Sequence, residues 1–406
     1  MRPLPARLGP PLPYAVILVA SALYGWAIAI STLFAPGSIG PNFNGLGTDW
    51  MVFEAAARSA LKGDLATIFD GNALTHSINA QFGSWLSAPL PFRPWVYPPS
   101  FLVLIAPFGL LSYLPSYLLF QLLSAAALAG ALLLDRDRKH APALLACALL
   151  CPAAAINAID GQLAFFVGAV LVGGFGLVRS RPLLAGCMLG LLSVKPQFAF
   201  LVPVALIASG AWRTLCAMLL CASLLALVSV ALFGLSPWAL WLNQVTASLA
   251  GTDSHWVMFG RMWGNSVYTC AVLLGASPAA ASMLQLASIA AGAIVVWKTF
   301  RSPAVSADLR LSVLLVATIL AALHSGAYDG VLLVIAGLLW IARAGSESWR
   351  WLIVSGFWLM PLVSPPLTAA PGRLVPLLLV AFLALVLRES VFSNPWQATP
   401  GASANA

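Results

Sequence analysis

Apolar runs of membrane-crossing length recur along this chain, each closed by a charged or proline-containing turn. A helix rises about 1.5 Å per residue, so roughly 20 apolar residues cross a bilayer core. The first run, 13–34, follows Arg2 and Arg7. It is long for a cleaved signal and many runs follow, so it reads as an uncleaved first span. The polar segment 35–97 comes next and is too long for a tight turn. It predicts one or two helices on the membrane surface, with Trp85 and Trp95 at the interface. The first of them opens at Gly47-Thr48-Asp49-Trp50 and ends near Lys62-Gly63, where the side chain of Thr48 or Asp49 can cap it. The segment closes with Arg93-Pro94-Trp95-Val96-Tyr97-Pro98-Pro99, and Pro99 suits the first turn of a new helix.

Beyond it, 98–112 reads as a short re-entrant or surface helix and 115–134 as the second span. Spans over 142–158 and 162–178 are joined at Asn157-Ala158-Ile159-Asp160-Gly161-Gln162. The apolar stretch 183–210 is divided at Ser193-Val194-Lys195-Pro196-Gln197, which predicts two short helices meeting within it. A span over 214–233 leads to a second polar segment, 236–266. Runs at 279–297, 309–323, 330–343, 350–363 and 374–388 finish the pattern. The expectation is an all-α polytopic membrane protein with about 12 transmembrane helices and two larger outer loops, 35–97 and 236–266. Residues 1–390 form one transmembrane domain and 391–406 a disordered cytoplasmic tail.

Composition agrees. The chain of 406 residues is 61% hydrophobic and 8% charged, against about 25% charged in soluble domains. The net charge of +8 belongs to cytoplasmic loops and gives no reason to expect nucleic acid. With both termini cytoplasmic, 14 of the 20 Lys and Arg fall inside, among them the turn 135–140. The outer six are Arg58, Lys62, Arg93, Lys195, Arg261 and Arg373. Most of the six cysteines lie in apolar runs without metal-ligand spacing. There is no Walker loop and no dinucleotide fingerprint. No half of the chain repeats, which argues against a transporter built from repeats.

The same orientation gathers the unusual polar residues on one face. Ionisable groups near membrane depth are costly and by default functional. Asp49, Asp160, Lys195, Arg261, His324 and Asp329 supply acids for a base and cations for an anion clamp. Asp49 suits proton removal from a hydroxyl. Lys195 suits a phosphate as a point charge, Arg261 as a fork of donors, and His324 as a donor or proton shuttle. Each has a plainer explanation. Lys195 can snorkel from a helix end, Arg261 can anchor at the interface, and His324 can cap. Asp160 can cap the next span, and Asp329 the helix beginning at Gly330, the reading favoured there.

Several of these residues sit in motifs whose order resembles glycosyltransferase family 87. The motifs are Gly47-Thr48-Asp49-Trp50 with a helix ending Leu61-Lys62-Gly63-Asp64, Tyr97-Pro98-Pro99 running to Ala106-Pro107-Phe108, and Asp160-Gly161-Gln162. Ala185-Gly186 through Gly190 to Lys195-Pro196, Gly264-Asn265-Ser266 and His324 follow. Together they cover roughly 14–390. One departure from the family pattern is that Gly264-Asn265-Ser266 lacks the Gln often found between Asn and Ser. The resemblance implies a GT-C fold on the plasma (inner) membrane with its site on the outer, periplasmic face. It implies an inverting hexosyltransferase that moves a sugar, mannose by analogy, from a polyprenyl-phosphate donor to a hydroxyl of a lipid or glycan acceptor. Asp49 would be the base, and Lys195, His324 and Arg261 would hold the donor phosphate. Asp160, Gln162, Tyr97 and Asn265 are candidates for a second acid or for acceptor binding. No cofactor and no metal is expected, since cationic side chains can neutralise a phosphodiester leaving group. The rival class is a transporter or flippase of a lipid-linked or anionic solute, which would use the same cations; a non-catalytic membrane scaffold is a third.

Overall fold

The computed structural model describes residues 9–35, 37–39, 45–134, 140–250, 264–363 and 373–390. Arg261, the turn 135–139 and the tail 391–406 lie outside the described residues. Among the described residues every regular element is helical. Five helices there are long and apolar enough to cross a membrane: Leu12–Phe34, Tyr113–Leu133, Trp212–Phe233, Pro278–Arg301 and Ala327–Ala344. A sixth forms if Ala141–Leu150 and Pro152–Asp160, bent by 53° at their junction, count as one. The chain is therefore a multi-pass membrane protein. The remaining apolar helices are shorter, as in Ala164–Leu177 and Leu201–Ala208.

Proline explains several of the breaks. Pro152 lacks the N–H that would continue the helix and clashes with the turn before it. The stretch 183–210 divides as its sequence predicts. Helix Pro182–Gly190 runs into a 3-10 turn at Leu191–Val194, the backbone opens at Lys195, and Pro196 starts the return toward Leu201–Ala208. The opened backbone stays satisfied, because Lys195 N–H donates to Leu192 O at 2.9 Å and Phe198 N–H to Lys195 O at 2.9 Å. Irregular backbone within an apolar bundle is tolerated where protein covers it, and Val194 and Phe198 are fully buried here.

Gly186 and Gly190 let this broken helix lie against Trp212–Phe233. A Cβ on Gly186 would stand 2.4 Å from Thr214 O and 2.5 Å from the Ala217 methyl. Helices in lipid gain most from such close backbone approach. Gly186→Leu is expected to destabilise by about 1–3 kcal/mol or more through overpacking. A lowered melting temperature in detergent, with surface Leu183→Ala unchanged, would check it.

The segment 35–97 differs from a pair of surface helices. Three helices occupy it, Thr48–Lys62, Leu65–Phe69 and Gly71–Phe82, and the first is buried along most of its length. Trp50 donates to Ser116 Oγ at 2.9 Å and stacks on Phe120 at 4.7 Å, pinning Thr48–Lys62 to Tyr113–Leu133. Glu54 is 0% exposed; Arg58, four residues on, supplies its counter-charge, and Gln81 Nε2 donates to its Oε2 at 2.9 Å. Trp95 is also 0% exposed. It packs among Phe53, Tyr97 and Phe101, where its sequence setting had suggested the interface. Pro99 does start a helix, Pro99–Ile105, continued by a 3-10 turn over Ala106–Leu110. Together these are too short to span; Gly109 lies against the backbone of Ala57 and Arg58.

The alternation of helix directions collects loops at two ends. At one end Gly47 N–H donates to Ile159 O at 2.6 Å, Tyr113 hydroxyl to Leu46 O at 2.7 Å, and Asn265 N–H to Ser325 O at 2.9 Å. At the other, Arg343 pairs with Asp308 at 2.7 Å and Arg350 with Glu389 at 2.8 Å. The unusual polar residues lie at the first end.

Candidate active site

Asp49 occupies the first turn of Thr48–Lys62. The residue before that helix is Gly47, at φ 69°, a left-handed conformation that an L side chain adopts only with strain. A Cβ there would also meet the Tyr113 hydroxyl at 2.3 Å. The cap expected from Thr48 or Asp49 is absent: no side chain caps this helix. The Asp49 carboxylate turns instead to side chains distant in the sequence. Its Oδ1 accepts from Arg93 Nη1 at 3.1 Å and its Oδ2 from Gln162 Nε2 at 2.6 Å. The helix N-terminus adds favourable partial charge.

Gln162 is the hub of a buried amide chain. Its Oε1 accepts from the Tyr97 hydroxyl at 3.3 Å and its carbonyl from Gln121 Nε2 at 3.2 Å. Gln121 Oε1 accepts in turn from Asn157 Nδ2 at 3.0 Å, and Asn157 Oδ1 accepts from Ala164 N–H at 2.9 Å. Asn157, and not Asp160, therefore serves the start of Ala164–Leu177. Asp160 ends Pro152–Asp160 before left-handed Gly161. It lies near enough to Asp49 and Arg93 for both charges to act on it.

Lys195 and Asp329 form the second cluster. Lys195 Nζ is 2.8 Å from Asp329 Oδ1, with side chains 3% and 1% exposed. The ammonium also lies over the rings of Phe198, at 4.2 Å, and Tyr328, at 5.3 Å. Lys195 thus does not snorkel. Asp329 does not cap the helix Gly330–Ala344; its Oδ2 accepts from Gly326 N–H at 2.9 Å. Burial, then the Lys195 charge, pushes the His324 imidazole down to about 4, so near neutral pH it is an uncharged donor–acceptor. Asn265 is buried beside the same loop, and its Oδ1 has no hydrogen-bond partner among the described residues.

Tyr97 connects the clusters. Its hydroxyl is held well above the ordinary phenol range by burial, then by the charges of Asp49 and Asp329, against which the Gln162 bond acts. One phenol thus feels an acid of each cluster. Of the residues picked out in sequence, Asp49, Gln162, Tyr97 and Asp160 meet in one group, and Lys195, His324 and Asp329 in an adjoining one. Arg93, Gln121 and Asn157 were given no role in the sequence. The available signal for Arg93 was a lone cation in a proline-bracketed segment. Among the described residues no three His, Cys, Asp or Glu side chains are placed to hold a metal ion.

The family model for glycosyltransferase family 87 matches residues 95–326, more than half of the 406 residues. The match includes Gln162, Lys195, Asn265 and His324, begins just after Arg93 and lies wholly C-terminal to Asp49. Neither the curated proteins nor the solved structures contain a match.

Proposed function

The chain belongs to glycosyltransferase family 87 and is a membrane glycosyltransferase, and we propose that it transfers a sugar from a polyprenyl-phosphate donor with Asp49 as general base. The observation that carries this reading is the Asp49 carboxylate, fixed by Arg93 and Gln162, beside a cluster holding Lys195 and His324. The arrangement fits a GT-C-type fold of about 12 spans, several of them in short or broken pieces. The site opens on the outer face of the plasma membrane, as the charge bias of the loops favours.

The step is an inverting displacement. Asp49 takes the proton of an acceptor hydroxyl, the acceptor oxygen bonds the anomeric carbon, and the bond from that carbon to the phosphate oxygen breaks. The electron pair leaves with polyprenyl phosphate. Donors aimed at the developing charge stabilise such a leaving group. Lys195 has three N–H donors and gives one to Asp329; the donor phosphate takes another. Neutral His324 gives a single N–H, and Arg261 is assigned to the same phosphate. The open acceptor of Asn265, with Asp160, suits hydroxyls of the acceptor, while Gln162 and Tyr97 are already engaged in holding Asp49. The transferred sugar is assigned as mannose and the acceptor as a lipid or glycan.

Incubation of reconstituted protein with a panel of polyprenyl-phosphate sugars, followed by mass analysis, tests the reading. A new glycosidic product supports it; lipid movement between leaflets without a new bond would replace it with transport. His324 supplies a further prediction. Since its imidazole is uncharged above about 4, activity between pH 5 and 8 should show no limb from it. His324→Gln, which keeps a neutral donor, should retain at least about tenfold more activity than His324→Ala, within the range of one hydrogen-bond donor. Equal losses in the two variants would remove the donor role.

A further inference from the structure

The cation paired with Asp49, Arg93, stands outside the cluster of Lys195 and His324. We propose that Arg93 is a positioning residue for the base: it supplies the fixed positive charge that keeps Asp49 competent beside a second carboxylate, Asp160. The inference rests on the reading of Asp49 as base.

Three observations carry it. First, the pair is direct and poorly solvated: Nη1 to Oδ1 is 3.1 Å, with side chains 5% and 18% exposed. A guanidinium stays charged at any working pH, and an opposite charge at this distance favours the ionised acid. Second, the chain on both sides of Asp160 packs against the start of the Asp49 helix: Ile159 O accepts from Gly47 N–H at 2.6 Å, and a Cβ on Gly161 would stand 2.6 Å from the Trp50 Cβ. Two carboxylates that share a site hinder each other's ionisation, and a cation paired with one of them offsets this. Third, the guanidinium is delivered by a braced backbone. Arg93 N–H donates to Thr75 Oγ1 at 2.9 Å, and Asn79 exchanges hydrogen bonds of 2.8 and 2.9 Å with Leu90. Pro91 and Pro94 restrict the chain on either side, and Trp95 next to them is stacked on Phe101 at 5.6 Å. The whole of 90–95 is thereby tied to Gly71–Phe82, which keeps the charge in place before substrate arrives. Gln162 fixes the other oxygen. Each carboxylate oxygen retains a further lone pair for the incoming proton.

The same contact could serve only to tie this segment to Thr48–Lys62, and pH dependence separates the two roles. Full-length protein in lipid nanodiscs would be compared with Arg93→Gln and Arg93→Lys, using one polyprenyl-phosphate sugar and acceptor, across pH 5–9, with melting temperatures. Arg93→Gln should lose about 100-fold in kcat/KM, the scale of a general-base contribution. Its pH–rate profile should differ from the wild type on the acid side, because the cation paired with the base is gone. Arg93→Lys, which keeps the charge on a different geometry, should recover at least tenfold and return the profile toward that of the wild type, even if Arg93→Gln folds poorly. An unchanged acid side of the profile, or equal losses in Gln and Lys, would overturn the proposal. Asp49→Asn separates the layers: if it is inactive while the Arg93 variants keep the wild-type profile, only this inference falls; if it is fully active, the base assignment falls with it.

Discussion

Asp49→Asn is expected to reduce sugar transfer by about 10²–10⁴-fold, the range of a lost general base, with a smaller loss of melting temperature than Asp49→Ala. Asparagine keeps the shape and an oxygen for Arg93, gives up the acceptor that Gln162 Nε2 meets, and cannot take the acceptor's proton. Asp49→Ala is a poorer test. It strands the Arg93 guanidinium, 5% exposed, without its carboxylate and leaves the Gln162 amide without its acceptor, so a loss of activity could arise from misfolding. Removing one partner of a poorly solvated ion pair leaves an uncompensated charge, with a cost that can reach about 3–5 kcal/mol where burial is complete. The measurement is initial rate of product formation at saturating donor, alongside thermal unfolding of both variants. Near wild-type turnover in folded Asp49→Asn would take the carboxylate out of the chemistry and move attention to Asp160, the other acid of the group.

Much of this site was legible in the sequence for a physical reason. Charged and amide side chains are so scarce in an apolar chain that each stands out, as Asp49, Gln162, Lys195 and His324 do. The break at Lys195-Pro196 was legible too, because a lysine and a proline inside an apolar run have few structural uses. What faced what was not legible. A helix crossing lipid is apolar all round, so periodicity does not separate a lipid-facing leucine from a buried one. Leu122 is 67% exposed and Leu128 0% on the same helix, Tyr113–Leu133. The burial of Trp95 and Glu54 was hidden for a related reason: both lie in a polar segment, and it is packing against other helices that takes them out of water. Asp329 has the sequence setting of a cap because Gly330 opens a helix, yet its partner lies 134 residues away. Arg93 had no local pattern, and its role appears only once Asp49 is beside it. The family match begins after both residues and bears on neither.

Lys195 and Asp329 give the sharper separation of fold from function. The pair is nearly solvent-free and joins the broken stretch at Leu191–Phe198 to the start of Gly330–Ala344. Breaking such a pair strands a charge and costs about 3–5 kcal/mol, whereas replacing both partners by apolar groups is often neutral or stabilising. Lys195→Met and Asp329→Leu should therefore each lower the melting temperature sharply, and the double variant should regain most of it. Activity should follow a different course. If the ammonium receives the donor phosphate, the double variant remains at least about 100-fold impaired despite its recovered stability, since electrostatic stabilisation of a leaving group is lost with the charge. Donor binding should weaken as well, measurable as a raised KM for the polyprenyl-phosphate sugar. If the pair only braces the break, stability and turnover recover together. The double variant thus reads the phosphate role of Lys195 apart from its ion pair, which neither single substitution can do.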